Sequence, residues 1–117
     1  MTMRVVPTQT HAVLDYVTGG ALVAAPKLLG LGGSAAGRVL RLAGGGATAY
    51  SVLTDYELGF IKVLPMRTHL ALDAASGALV AASPWLFGFA KEGTRHWLPH
   101  VLVGATEILA AATTKTG

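Results

Sequence analysis

Two stretches of the chain, YVTGGALVAAP at 16–26 and AASGALVAASP at 74–84, are apolar or small on every side of a helical wheel and carry no charge. A helix on the surface of a water-soluble protein shows Lys or Glu every third or fourth position. Neither stretch does, and no apolar–polar alternation of period two marks a strand. Proline and glycine punctuate the pattern, and the punctuation predicts helices. The first opens after Pro7, with Thr10 placed to cap it, and closes at Pro26; its counterpart opens after Pro65, with Thr68 as cap, and closes at Pro84. The loops GLGGSAAGR and GFAKEGTRH follow, and second helices are expected over roughly 36–57 and 95–114.

The two halves are copies. A shift of 58 residues (from Thr10 to Thr68) lays VVPTQTHAVLDYVTGGALVAAPKLLGL on VLPMRTHLALDAASGALVAASPWLFGF without a gap. Pro7, Thr10, His11, Leu14, Asp15, Gly19, Pro26 and Gly30 fall on identical residues. The same shift carries the GAT at 46–48 onto the GAT at 104–106. The chain therefore reads as one domain of two helix-hairpin units, about 4–59 and 62–117. The expected fold is all-α, a four-helix bundle made of two tandem hairpins.

Composition decides where such a bundle resides. Charged residues are 13% of the chain, about half the usual share, and the apolar fraction is 52%. Mean hydropathy is +0.54. The first helix of each unit is short for a span, and a soluble bundle of buried helices is the alternative. The missing polar face favours a transmembrane bundle with the lipid bilayer as its partner. Two helices per unit bring each unit back to its starting side, and the basic residues are too evenly divided to set an orientation. The absence of Cys excludes disulfides and thiolate chemistry. The net charge of +3 is scattered, without the basic run interleaved with aromatics that nucleic acid would require.

The residues with chemical potential lie within this apolar frame. His11–Asp15 and His69–Asp73 are each spaced i, i+4, so each pair shares a helix face. An acid inside a bilayer is costly unless it is paired or faces the interior. Pairing within each helix is one arrangement; crossed pairing, His11 with Asp73 and His69 with Asp15, is another. Glu107, Tyr50 and Thr54 lie at a similar depth, so His11, Asp15, Tyr50, His69, Asp73 and Glu107 form a candidate polar layer. Asp55 and Glu57 are expected at the surface. His96 and His100 are also i, i+4 but lack a third ligand, and they read as solvated or interfacial residues in a helix that starts at Pro99. No metal site, cofactor or catalytic residue is assigned. GLGGSAAG lacks the strand and the Lys-Ser/Thr of a phosphate loop. Gly20, Ala24, Gly77, Ala81 and the glycines of 43–47 are expected to let helices approach closely.

The SPWLFGF segment at 83–89, with HLALD upstream and the two-helix repeat, resembles the SPW repeat family of small bacterial and archaeal membrane proteins. Ser83, Pro84 and Trp85 carry the motif in the second unit; the first has Ala25, Pro26 and Lys27. The resemblance implies a multi-pass integral protein of the cell membrane, two helices per repeat, with no established activity. On physical grounds Pro84 ends the helix, Trp85 sits at headgroup level and Gly88 permits the turn. The leading functional expectation is a non-enzymatic membrane scaffold or accessory subunit, acting as a homo-oligomer or with a membrane partner protein. A proton- or ion-handling protein built on the His/Asp/Glu layer is the alternative, and a redox module holding haem between His11 and His69 a further one.

Overall fold

The computed structural model describes residues 4–116. Its elements are α1 (Thr8–Leu28), α2 (Ala35–Val52), α3 (Met66–Leu86), a short 3-10 turn (Ala90–Glu92) and α4 (Thr94–Thr113). The described residues contain no strand, only two isolated parallel bridges, Val6 with Thr114 and Thr54 with Leu64. The fold is all-α with four helices.

The helix ends follow local chemistry, with corrections to the sequence expectation. Thr10 and Thr68 are not caps. Pro7 and Pro65 hold the N-cap positions with extended backbones, φ −63°, ψ 150° and φ −60°, ψ 151°. α2 begins at a conventional cap, with Ser34 Oγ accepting from the Gly37 N–H at 3.0 Å. Pro26 and Pro84 do not end their helices, which run two residues further. Nor does α4 start at Pro99; it starts at Thr94. Each proline sits in a first or last turn or close to it, where one missing N–H costs little.

At Pro84 the missing donor is replaced. The Val80 carbonyl, four residues back, accepts from Ser83 Oγ at 2.7 Å. The Ser-Pro pair is thus a matched substitution, and Ala25 offers no such hydroxyl in the first unit. Trp85 is exposed and packs on Trp97, ring centroids 6.1 Å apart. Gly88 and Gly30 take positive φ, +74° and +70°, just past the helix ends. After α1, Leu31 N–H bonds the Pro26 carbonyl at 2.7 Å and Gly30 N–H bonds that of Lys27, the paired closure of a glycine-terminated helix.

α1 packs against α2 and α3 against α4. Each hairpin crosses at a glycine pair. A Cβ on Gly44 would lie 2.7 Å from the Gly19 carbonyl oxygen, and one on Gly104 would lie 2.3 Å from that of Gly77. Gly19, not Gly20, is the residue at the contact, and Gly45 and Gly46 face open space. These pairs also correct the repeat. First helices correspond at a shift of 58 (Gly19 to Gly77), second helices at 60 (Gly44 to Gly104). The longer loop holding the 3-10 turn moves the register by two residues, so the two GAT segments are not equivalent.

The hairpins are joined twice in the same way. Between α2 and α3, Leu64 N–H bonds the Leu53 carbonyl at 2.8 Å and Asp55 N–H bonds that of Leu64 at 2.8 Å. Between the end of α4 and the start of α1, Val6 N–H bonds Thr113 at 3.0 Å and Lys115 N–H bonds Val6 at 2.9 Å. Arg4 reinforces the second junction, donating to the Ala111 and Thr114 carbonyls at 2.8 Å.

The interior mixes polar and apolar side chains, and many large apolar side chains lie outside it. Fully buried side chains include His11, His69, His100, Thr54, Thr114 and Ser51, whereas Val13, Val17, Val23, Leu79, Leu102 and Leu109 are exposed. Apolar contacts close the two ends, around Tyr56, Met66 and Leu70 at one and Leu31, Leu40 and Phe89 at the other. Among the described residues no helix is long and apolar enough to cross a membrane. The buried polar residues of α1, α3 and α4 lower the mean hydropathy of each helix although they do not face outward.

Candidate functional site

His11 and Asp15 lie one turn apart on α1, and His69 and Asp73 one turn apart on α3. The two helices bring all four side chains into one ring. His11 Nε2 is 3.1 Å from Asp15 and 2.8 Å from Asp73; His69 Nε2 is 2.9 Å from Asp15 and 3.2 Å from Asp73. Local and crossed pairing therefore coexist. Both histidines are buried, and the Asp15 and Asp73 side chains are 14% and 7% exposed. The imidazoles meet edge to face, centroids 5.3 Å apart at 81°. With carboxylates on both Nε2 atoms and the rings this close, no macrocycle fits between them, which removes the haem reading.

The outer nitrogens of the two rings are fixed alike. His11 Nδ1 is 2.7 Å from Thr114 Oγ1 and His69 Nδ1 is 2.7 Å from Thr54 Oγ1. Each hydroxyl has one hydrogen, and each already donates it four residues back, Thr114 to Ala110 and Thr54 to Tyr50, both at 2.6 Å. Each Thr oxygen is therefore the acceptor, and each Nδ1 carries the proton. In the neutral imidazole this leaves the Nε2 lone pair aimed at two carboxylates. The ring in that form holds two negative charges and two lone pairs in mutual contact, so it requires positive charge to be stable.

Two phenols flank the ring. Tyr50 donates to Asp73 Oδ1 and meets the His69 ring at 5.0 Å. Tyr56, in the segment between α2 and α3, donates to Asp15 Oδ2 at 2.8 Å. Burial, aided by the Asp15 charge, pushes the Tyr56 phenol above its ordinary range, so it remains a donor. Glu107 stands outside the ring and accepts from Ser76 Oγ at 3.4 Å. Beside it a cavity of about 250 Å³ reaches His11, Asp15 and Asp73, bordered by Thr18, Ala47, Glu107 and Ala110.

The six residues of the expected layer thus converge, five of them through direct contacts. Thr54 was legible from its depth. Thr114 and Tyr56 were not; the signal for Thr114 is its recurrence 60 residues after Thr54, which the 58-residue shift conceals. Asp55 and Glu57 are exposed as expected, Glu57 accepting from Thr8. His100 is neither solvated nor interfacial. It is fully buried, donates from Nε2 to the Ala36 carbonyl at 2.9 Å and packs on Phe89. The reason is local: the second-helix crossing places it opposite the first turn of α2, whose carbonyl accepts its proton.

No curated protein and no solved structure matches the chain. The model of the SPW repeat domain matches residues 9–114, which takes in all four helices and every residue of the ring. With nearly the whole chain matched, and with the Ser-Pro pair present as a working hydrogen-bond substitution, the chain belongs to the SPW repeat family.

Proposed function

We propose that this protein is a multi-pass membrane protein that holds and exchanges positive charge at a buried His/Asp ring, in a non-enzymatic role. The observation that carries the reading is the polarity of the helix middles: His11, His69 and Asp73 face inward while Val13, Val17, Val23, Leu72 and Leu79 on the same two helices face outward, and the exposed charges lie mostly in loops and near helix ends. α1 and α3, 21 residues each, are about 31 Å long, close to the roughly 30 Å of a bilayer's hydrocarbon core. In water the exposed Leu and Val would gain nothing from the fold, whereas in lipid they are solvated and the ring is shielded.

The ring is approached through the cavity beside Glu107, and the Leu31, Leu40 and Phe89 cluster seals the opposite end. One-sided access supports binding and exchange rather than conduction across the membrane. The test is fractionation of expressing cells followed by extraction. The protein is expected in the membrane pellet after a high-salt, high-pH wash and is released by detergent. Monodisperse protein in the soluble fraction without detergent overturns the reading.

A further inference from the structure

We propose that His11, Asp15, His69 and Asp73 are the ligands of one divalent transition-metal ion. The inference rests on the reading that the ring holds positive charge, and it names that charge. One ligand atom from each residue lies within 4.8 Å of all the others. Asp73 Oδ2 lies 2.8 and 3.2 Å from the two Nε2 atoms, and Asp15 faces His11 through Oδ1 at 3.1 Å and His69 through Oδ2 at 2.9 Å, distances near the roughly 3.3 Å edge of a tetrahedron built on 2.0–2.1 Å metal bonds. An ion at the centre requires the close His–Asp pairs to move outward and Asp15 to present one oxygen or both.

Two protons, giving two imidazolium ions, would also neutralise the ring. His11 Nε2 is aligned on Asp73 Oδ2 at 2.8 Å and suits either a proton or a metal; the two alternatives differ at His69. His69 Nε2 is buried and has no aligned hydrogen-bond partner among the described residues, although both carboxylates lie within 3.2 Å. An N–H at that atom would be left without a well-placed acceptor. A lone pair directed at a metal needs none. The two Thr hydroxyls complete the argument. Metal-bound imidazoles donate their other N–H to an outer acceptor, which fixes tautomer and ring orientation. Thr54 and Thr114 supply that acceptor to both rings.

The donor set selects the ion. Two imidazoles and two carboxylates suit Zn²⁺, Fe²⁺, Mn²⁺ or Co²⁺ better than Ca²⁺ or Mg²⁺, which take mostly oxygen ligands. A divalent ion brings the two carboxylates to neutrality, which suits a site enclosed by apolar side chains. The cavity at His11 and Asp15 leaves one face where water or an added ligand reaches the metal.

The test uses the full chain in detergent, stripped with a chelator and titrated with Co²⁺ and Zn²⁺. One equivalent of metal per chain is expected, with Co²⁺ giving visible ligand-field bands displaced by Zn²⁺. His69→Gln is expected to abolish the bands. Thr54→Val and Thr114→Val, which keep all four ligands, are expected to weaken binding about 10- to 100-fold while helicity and elution volume stay unchanged. Absence of stoichiometric metal in folded wild type overturns the metal site and leaves a ring neutralised by protons. Equal binding by His69→Gln or by both Thr variants overturns the location. Detergent-independent solubility with metal bound would instead defeat the membrane reading alone.

Discussion

The two hairpins share one plan and differ at a few positions, and the differences divide construction from access. His11 and His69, Asp15 and Asp73, and Thr54 and Thr114 are duplicated; they build the ring. Tyr50 and Glu107 are not. At the second-helix shift of 60, Tyr50 corresponds to Ala110 and Glu107 to Ala47. On one flank the Tyr50 phenol closes over Asp73 and His69. On the other, Ala110 leaves the cavity that reaches His11, Asp15 and an edge of Asp73. The ring thereby has a shut side at Tyr50 and an open side at Ala110.

The largest expected effect breaks the symmetric part. Asp73→Leu removes the acceptor of Tyr50 and the partner of both imidazoles, and is expected to cost about 3–5 kcal/mol. Asp15, twice as exposed as Asp73, is expected to lose less on the same change. Thermal unfolding in detergent compares them, and equal losses would erase the distinction between flanks. Next, Tyr50→Phe leaves Asp73 without its phenol donor, at a cost of about 1.5–3 kcal/mol. Ala110→Tyr works in reverse: it is expected to fill the cavity, give Asp15 a second phenol, preserve stability and slow the exchange of bound Co²⁺ for Zn²⁺. Unchanged exchange in Ala110→Tyr would show that the cavity is not the route to the ring. The smallest effect lies at the motif. Ser83→Ala leaves the Val80 carbonyl without the hydroxyl that substitutes for Pro84, at about 1 kcal/mol, and Ala25→Ser is expected to recover a similar amount in the first unit.

The helices, the repeat and the His/Asp pairs were legible because each is a local pattern: an i, i+4 spacing, a proline opening, an exact shift. The crossed contacts were foreseeable only as one option, since which helices face each other is a tertiary fact. Three features escaped. The two-residue change of register arises in a loop, where GFAKEGTRH makes a 3-10 turn that GLGGSAAGR does not, and it hid Thr114. Pro26, Pro84 and Pro99 mark boundaries in the sequence pattern, yet near a helix end proline removes at most one bond, and at Pro84 Ser83 restores it. Finally, mean hydropathy averages around the helix. It cannot tell that His69 and Asp73 face inward while Leu72 and Leu79 face outward, and so it understates how apolar the outer surface is.

The repeated junction makes the two hairpins interchangeable in how they meet. Leu53, Asp55 and Leu64 make between α2 and α3 the bonds that Thr113, Lys115 and Val6 make between α4 and α1. One junction is spanned by the continuous chain; the other holds through backbone hydrogen bonds between segments far apart in sequence. Each hairpin supplies half of the ring, one His, one Asp and one Thr, and each presents the same two edges to its mate. A single hairpin is therefore self-complementary, and two copies related by a two-fold axis would assemble the same centre as a homodimer. One continuous chain, unlike such a homodimer, can place Tyr50 on one flank and Ala110 on the other.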